Sequence, residues 1–71
     1  MHIGGIIRQK RKSLSLTQDE LAAKSQVTQS MISKLEAGSI DNVSLEALRK
    51  LAKALRCSVV DLLPEEDKRA P

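Results

Sequence analysis

Seventy-one residues make one small domain, and a chain this short buries only about 60% of the surface that it exposes when unfolded. It has no Phe, Tyr or Trp, which removes the stacking platforms of the common single-strand readers; one cysteine and one histidine exclude an internal disulfide and a structural zinc site. The net charge of +3 is uneven: residues 1–34 carry six basic and two acidic side chains, residues 35–71 six and seven, so the N-terminal half is the candidate for binding a polyanion. No apolar run approaches the ~20 residues of a membrane span, and no signal-peptide pattern opens the chain, so a cytoplasmic protein is expected.

The apolar spacing is helical throughout, with no period-two segment, which predicts an all-α domain. Ile3, Ile7 and Leu14, with Ile6 beside them, suit one face of a first helix over about 3–13, with Arg8 and Lys12 on the opposite face. Ser13–Leu16 reads as a turn. Thr17-Gln18-Asp19-Glu20 then has the form of a capping box: a Thr17 hydroxyl for the Glu20 N–H, and a Glu20 carboxylate for the Thr17 N–H. Leu16 and Leu21 stand at staple spacing across it, and a second helix of about two turns follows over 17–25. Thr28 caps a third helix over 28–37, with Met31, Ile32 and Leu35 at core spacing and Gly38 as its stop.

Residues 38–43 form a polar loop. Ser44 caps a fourth helix whose stripe is Leu45, Leu48, Leu51, Ala52 and Leu55, with Arg49, Lys50, Lys53 and Arg56 facing water. Ser58 with Asp61 is box-like and predicts a short fifth helix closed by Pro64. The domain is expected over 1–63, with 64–71 (PEEDKRAP) a polar tail that frays. The tight Ser25-Gln26-Val27 junction between two short helices is the unusual feature, since it forces a steep crossing, and Ala22 sits where the partner helix must come close.

These residues resemble the phage-repressor-like helix-turn-helix regulators of the Cro/CI or XRE type. The resemblance spans about 3–63 and is densest in Leu16-Thr17-Gln18-Asp19-Glu20-Leu21-Ala22 and in Val27-Thr28-Gln29-Ser30-Met31-Ile32-Ser33-Lys34-Leu35-Glu36-Ala37-Gly38. It implies a five-helix, lambda-repressor-like DNA-binding domain. Two positions depart from the family pattern: Gln26 and Ser15 stand where glycine is usual. A left-handed conformation at either would cost about 1 kcal/mol.

The resemblance implies that the third helix enters the major groove while the second crosses the backbone. Gln29, Ser30 and Lys34 match base-reading positions. Gln29 suits bidentate pairing with adenine N6 and N7, while Lys34 suits either guanine or a phosphate. Gln18 resembles a phosphate-gripping residue beside the amides of the second helix. Thr17, Thr28, Ser33, Ser39 and Asn42 lie near the expected backbone path, where contacts set register without reading sequence. Arg11 and Glu36 match a structural ion pair tying the first helix to the third.

Each assignment has an ordinary alternative. Gln29, Gln18 and Lys34 can be idle surface groups, and Arg8–Lys12 a solvated face. Cys57 reads as a buried, inert thiol, His2 as part of a frayed terminus, and Ile6 as either extra core or a contact patch. The expected function is a sequence-specific regulator of repressor type that binds double-stranded DNA as a homodimer on a palindromic operator, because one short helix reads too few base pairs. The resemblance makes Val59, Val60, Leu62 and Leu63 candidates for the dimer interface. Seventy-one residues leave no expected room for a ligand-sensing second domain.

The alternative from the interaction-protein class is an antitoxin-like or restriction–modification controller protein whose main partner is another protein. A basic amphipathic first helix lying on a membrane is a weaker use of its isoleucines, so no membrane partner is expected. No nucleophile–base pair, carboxylate dyad or phosphate loop is present, so no enzyme is expected, nor any metal, cofactor or small-molecule ligand.

Overall fold

A computed structural model describes residues 2–40 and 42–64. Four α-helices follow one another: α1 (Ile3–Ser13), α2 (Gln18–Ser25), α3 (Gln29–Ala37) and α4 (Leu45–Ala54), with a 3-10 turn at Val60–Leu62. No strand occurs among the described residues. The expected fifth helix is therefore one 3-10 turn. Its cap is made, since the Ser58 backbone N–H donates to Asp61 Oδ2 at 2.9 Å. Propagation fails because Pro64 pushes the residue before it out of the helical region, and Leu63 is extended at φ −86°, ψ 143°. The tail from residue 65 lies outside the described residues.

The other helix starts are made by local side-chain chemistry. The Glu20 N–H donates to Thr17 Oγ1 at 3.0 Å while the Thr17 N–H donates to Glu20 Oε1 at 2.8 Å, completing the capping box of α2. Thr28 and Ser44 accept from the Met31 and Ala47 N–H groups at 3.1 Å each. Such caps contribute about 1 kcal/mol apiece, a sizeable share for helices of two to three turns. His2, expected to fray, instead caps α1: its Nδ1 accepts the Gly5 N–H at 3.3 Å.

Helix ends show a recurring device. At the ends of α1, α3 and α4 a left-handed residue lets the next N–H reach back five residues: Leu16 to Arg11 O at 3.0 Å, Ser39 to Lys34 O at 2.9 Å, Cys57 to Ala52 O at 2.9 Å. Only one of these left-handed residues is glycine, Gly38; the other two are Ser15 (φ 58°) and Arg56 (φ 58°). α2 ends on left-handed Gln26 (φ 61°), whose N–H donates to Ala22 O at 2.8 Å. Buried Ser25 then accepts the Val27 N–H at 3.1 Å, which pins the α2–α3 junction.

The core gathers Ile3, Ile7, Leu21, Val27, Ile32, Leu35, Leu48, Leu51, Ala52, Leu55 and Leu62. α1 packs on α3, α2 on both α3 and α4, and the 3-10 turn closes over α1 and α4. Ile6 packs at the margin of the core. Leu45, assigned to the apolar stripe of α4, stands 54% exposed at its first position. The α1–α3 contact depends on Gly4. A Cβ built there would lie 1.7 Å from the Leu35 carbonyl oxygen, so no other residue fits without moving backbone.

Candidate nucleic-acid interface

Two helix N-termini, those of α2 and α3, meet at one edge of the domain. The first residue of each is a glutamine, Gln18 and Gln29, and the two side chains touch: Gln29 Nε2 donates to Gln18 Oε1 at 2.8 Å. Gln18 Nε2 donates in turn to Glu36 Oε1 at 3.1 Å. Glu36 is held from the other side by Arg11, through Nε to Oε2 at 2.8 Å and Nη2 to Oε1 at 2.9 Å. Arg11 Nη1 donates to the Leu16 carbonyl at 2.7 Å. One continuous polar chain thus runs from the end of α1, through the end of α3, to exposed Gln29.

The Arg11–Glu36 pair is almost sealed, its side chains 10% and 5% exposed. Burial pushes the Glu36 carboxyl up, but the bonds from Arg11 and Gln18, with the charges of Arg11 and Arg8, more than offset this and hold it below the usual carboxylate range. The bond from Glu36 raises Arg11 against the opposing effect of burial. Both groups are charged at neutral pH, and no buried side-chain polar atom among the described residues lacks a partner.

The remaining expected site residues fall in two sets. Ser30 and Lys34 are exposed on α3 with Gln29, and Thr17 and Thr28 are exposed at the helix starts. Ser39 and Asn42 are exposed in the loop after α3, while Ser33 is half-buried. Ser33 shares a concavity with Arg8, Gln18 and Ala37, between α1 and the two later helices. Exposed Arg8 thereby adds a cation beside Gln18, a placement that its position on α1 alone did not reveal.

The interface candidates divide. Val60 is 56% exposed, and Val59 and Leu63 are half-buried. Leu62 is a correction: it is fully buried, because the 3-10 turn aims it into the core, so its side chain cannot meet a second copy. Cys57 is half-buried, and burial raises its thiol above the ordinary range against the opposing charge of Lys10. That is the opposite of an activated thiolate.

Among the described residues no helix is long and apolar enough to cross a membrane, and no His, Cys, Asp and Glu cluster could hold a metal. This is a fold that presents one short helix, by its N-terminal end, on a frame of three others. The sequence matches the helix-turn-helix family over residues 7–62.

The chain is 36% identical over 64 residues to the HTH-type transcriptional regulator SlrR of Bacillus subtilis (strain 168), an alignment covering 90% of this chain and 42% of that protein. It is 38% identical over 65 residues to the HTH-type transcriptional regulator SinR of Bacillus licheniformis, covering 92% and 59%. Among solved structures it is similar to a SinR protein/SinI protein complex, at a TM-score of 0.85 and 38% identity over 90% of this chain and 62% of that one. The chain therefore belongs to the XRE-type helix-turn-helix family of DNA-binding transcriptional regulators. It spans about two-fifths to three-fifths of the length of the relatives that it matches.

Proposed function

We propose that the chain binds double-stranded DNA in a sequence-specific way as a transcriptional regulator, with α3 in the major groove and the N-terminus of α2 against the phosphate backbone. The observation that carries this reading is the Gln29–Gln18 bond at 2.8 Å. It joins the candidate base reader to the candidate phosphate grip, so that each fixes the register of the other. Gln29, Ser30 and Lys34 read base edges; Thr17, Gln18, Thr28, Ser33, Ser39 and Asn42 contact phosphates.

The regulator acts as a homodimer on two half-sites related by two-fold symmetry, because a helix of nine residues reaches only a few base pairs. Val59, Val60 and Leu63 are the candidate contact, with exposed Val60 at its centre. Selection of bound duplexes from a random pool, repeated at several salt concentrations, tests the proposal. A recovered palindrome, with half-sites about 34 Å apart and affinity falling steeply with salt, supports it. Recovery of no consensus contradicts it.

A second reading keeps a protein partner beside DNA. It is favoured by one observation, that the similar solved structure is a complex of SinR with the SinI protein.

A further inference from the structure

α2 has two ends with different surroundings. Its N-terminus carries Gln18, whereas its C-terminus opens on a groove shared with the C-terminal half of α4. Lys24, Lys50, Lys53 and Arg56 line this groove, with no acidic residue among its described lining. The groove runs on, past Lys24 and Arg56, to an apolar end made by half-buried Leu14 and Leu16. Among the described residues Lys50 pairs loosely with the exposed carboxylate of Glu46, at 3.7 Å.

The simplest role for these cations is to offset the negative ends of α2 and α4. The magnitudes do not support it. Each helix end carries roughly half a negative charge, so two ends offset about one of the four cations. An excess of positive charge remains, beside an apolar floor.

Backbone geometry marks the same place. Among the described residues, the three non-glycine residues with left-handed φ are Ser15, Gln26 and Arg56. Gln26 and Arg56 line the groove, and Ser15 lies between Leu14 and Leu16 at its apolar end. These are the residues that end α1, α2 and α4, so the groove is framed by three helix ends of fixed shape.

We propose that this groove docks an acidic segment of a partner protein, its carboxylates meeting Lys24, Lys50, Lys53 and Arg56 and an apolar side chain among them seating against Leu14 and Leu16. Lys24 and Ser25 stand six and seven residues after Gln18, so about 9–10 Å of helix separates the groove from Gln18. A chain whose α2 and α3 N-termini rest on a duplex keeps the groove uncovered, and the partner and the duplex bind together.

The test uses the full chain and a short fluorescein-labelled peptide of glutamates flanking two leucines, followed by anisotropy at physiological salt. The double variant Lys50→Gln/Lys53→Gln changes exposed side chains only, keeps the net charge positive and should fold normally. It is expected to lose about tenfold or more in peptide affinity, while duplex affinity changes by no more than about twofold. A probe with serines in place of the leucines should also bind more weakly. The proposal is overturned by any of the following results. The wild-type chain fails to bind the peptide; the double variant binds it as well as wild type does; the double variant loses duplex affinity to the same degree, making the groove a nucleic-acid contact; or the leucine-free probe binds equally well. A fifth also counts against it: the full chain binding the probe only after Glu65, Glu66 and Asp67 are made amides, which would assign the groove to the chain's own acidic segment.

Discussion

Gln29 donates its side-chain amide to Gln18, Nε2 to Oε1 at 2.8 Å, and this bond fixes which way the Gln29 amide faces. The Glu36 carboxylate can only accept, so Gln18 must turn its Nε2 toward it. Gln18 then offers its oxygen to Gln29, which must answer with its own nitrogen. An amide nitrogen has two N–H groups, so Gln29 keeps one N–H and its oxygen for a base. That is the pattern that adenine N7 and N6 require. The two glutamines should therefore act as a unit. In a double-mutant cycle with Gln18→Ala and Gln29→Ala, duplex-binding losses should depart from additivity by at least about 0.5 kcal/mol. Strict additivity would mean that the bond has no part in recognition.

Glu36 anchors that orientation and also the packing of α1 on α3. Glu36→Gln strands the Arg11 charge, and the expected loss is about 2–4 kcal/mol of folding stability, read from thermal or urea unfolding. Because the folded carboxyl sits below its ordinary 4.5, the pair stabilises the fold at pH values above the unfolded pKa and loses that contribution as pH falls through the folded one. Acidification below about pH 4.5 should then destabilise wild type, and the part of that pH slope due to Glu36 should be missing from Glu36→Gln.

Gly4 permits the approach of α1 to α3. Gly4→Ala should cost about 3 kcal/mol or more, despite the higher helix propensity of alanine, because the added carbon meets backbone rather than a side chain that can swing away. Gly5→Ala is the control: one residue along the same helix, it should be neutral or stabilising. Circular dichroism melts of the two variants decide the point.

Ser15 and Gln26 lie on the other side of the same principle. Both hold left-handed φ with a side chain in place, so Ser15→Gly and Gln26→Gly should each stabilise the fold by up to about 1 kcal/mol, less the entropy that glycine adds to the unfolded chain. A drop in melting temperature for both would show that their side chains contribute more than the strain costs.

What was legible in the sequence was chiefly local. Thr17, Thr28 and Ser44 announce their helices because a cap needs only the next three residues, and Gly38 marks a stop for the same reason. Tertiary demands were not legible. Gly4 reads as a weakness in a helix until α3 is laid against it. Leu62 belongs to the core rather than to a surface because a short apolar run has no period to say which side chains turn inward; packing against α1 and α4 decides that. The Ser58–Asp61 cap was real, yet Pro64 limits it to one turn. Gln18 and Gln29 were visible as separate candidates, eleven residues apart, and only the fold brings them into contact.

In this division of labour Gln29 reads a base while Gln18 holds the backbone. Binding of wild type and both alanine variants to a library covering every single-base change in the selected operator tests it most directly. Gln29→Ala should lose about 1–3 kcal/mol of discrimination at one position of each half-site, while Gln18→Ala weakens every sequence and flattens that position only in part. Identical base preferences for wild type and Gln29→Ala would contradict it.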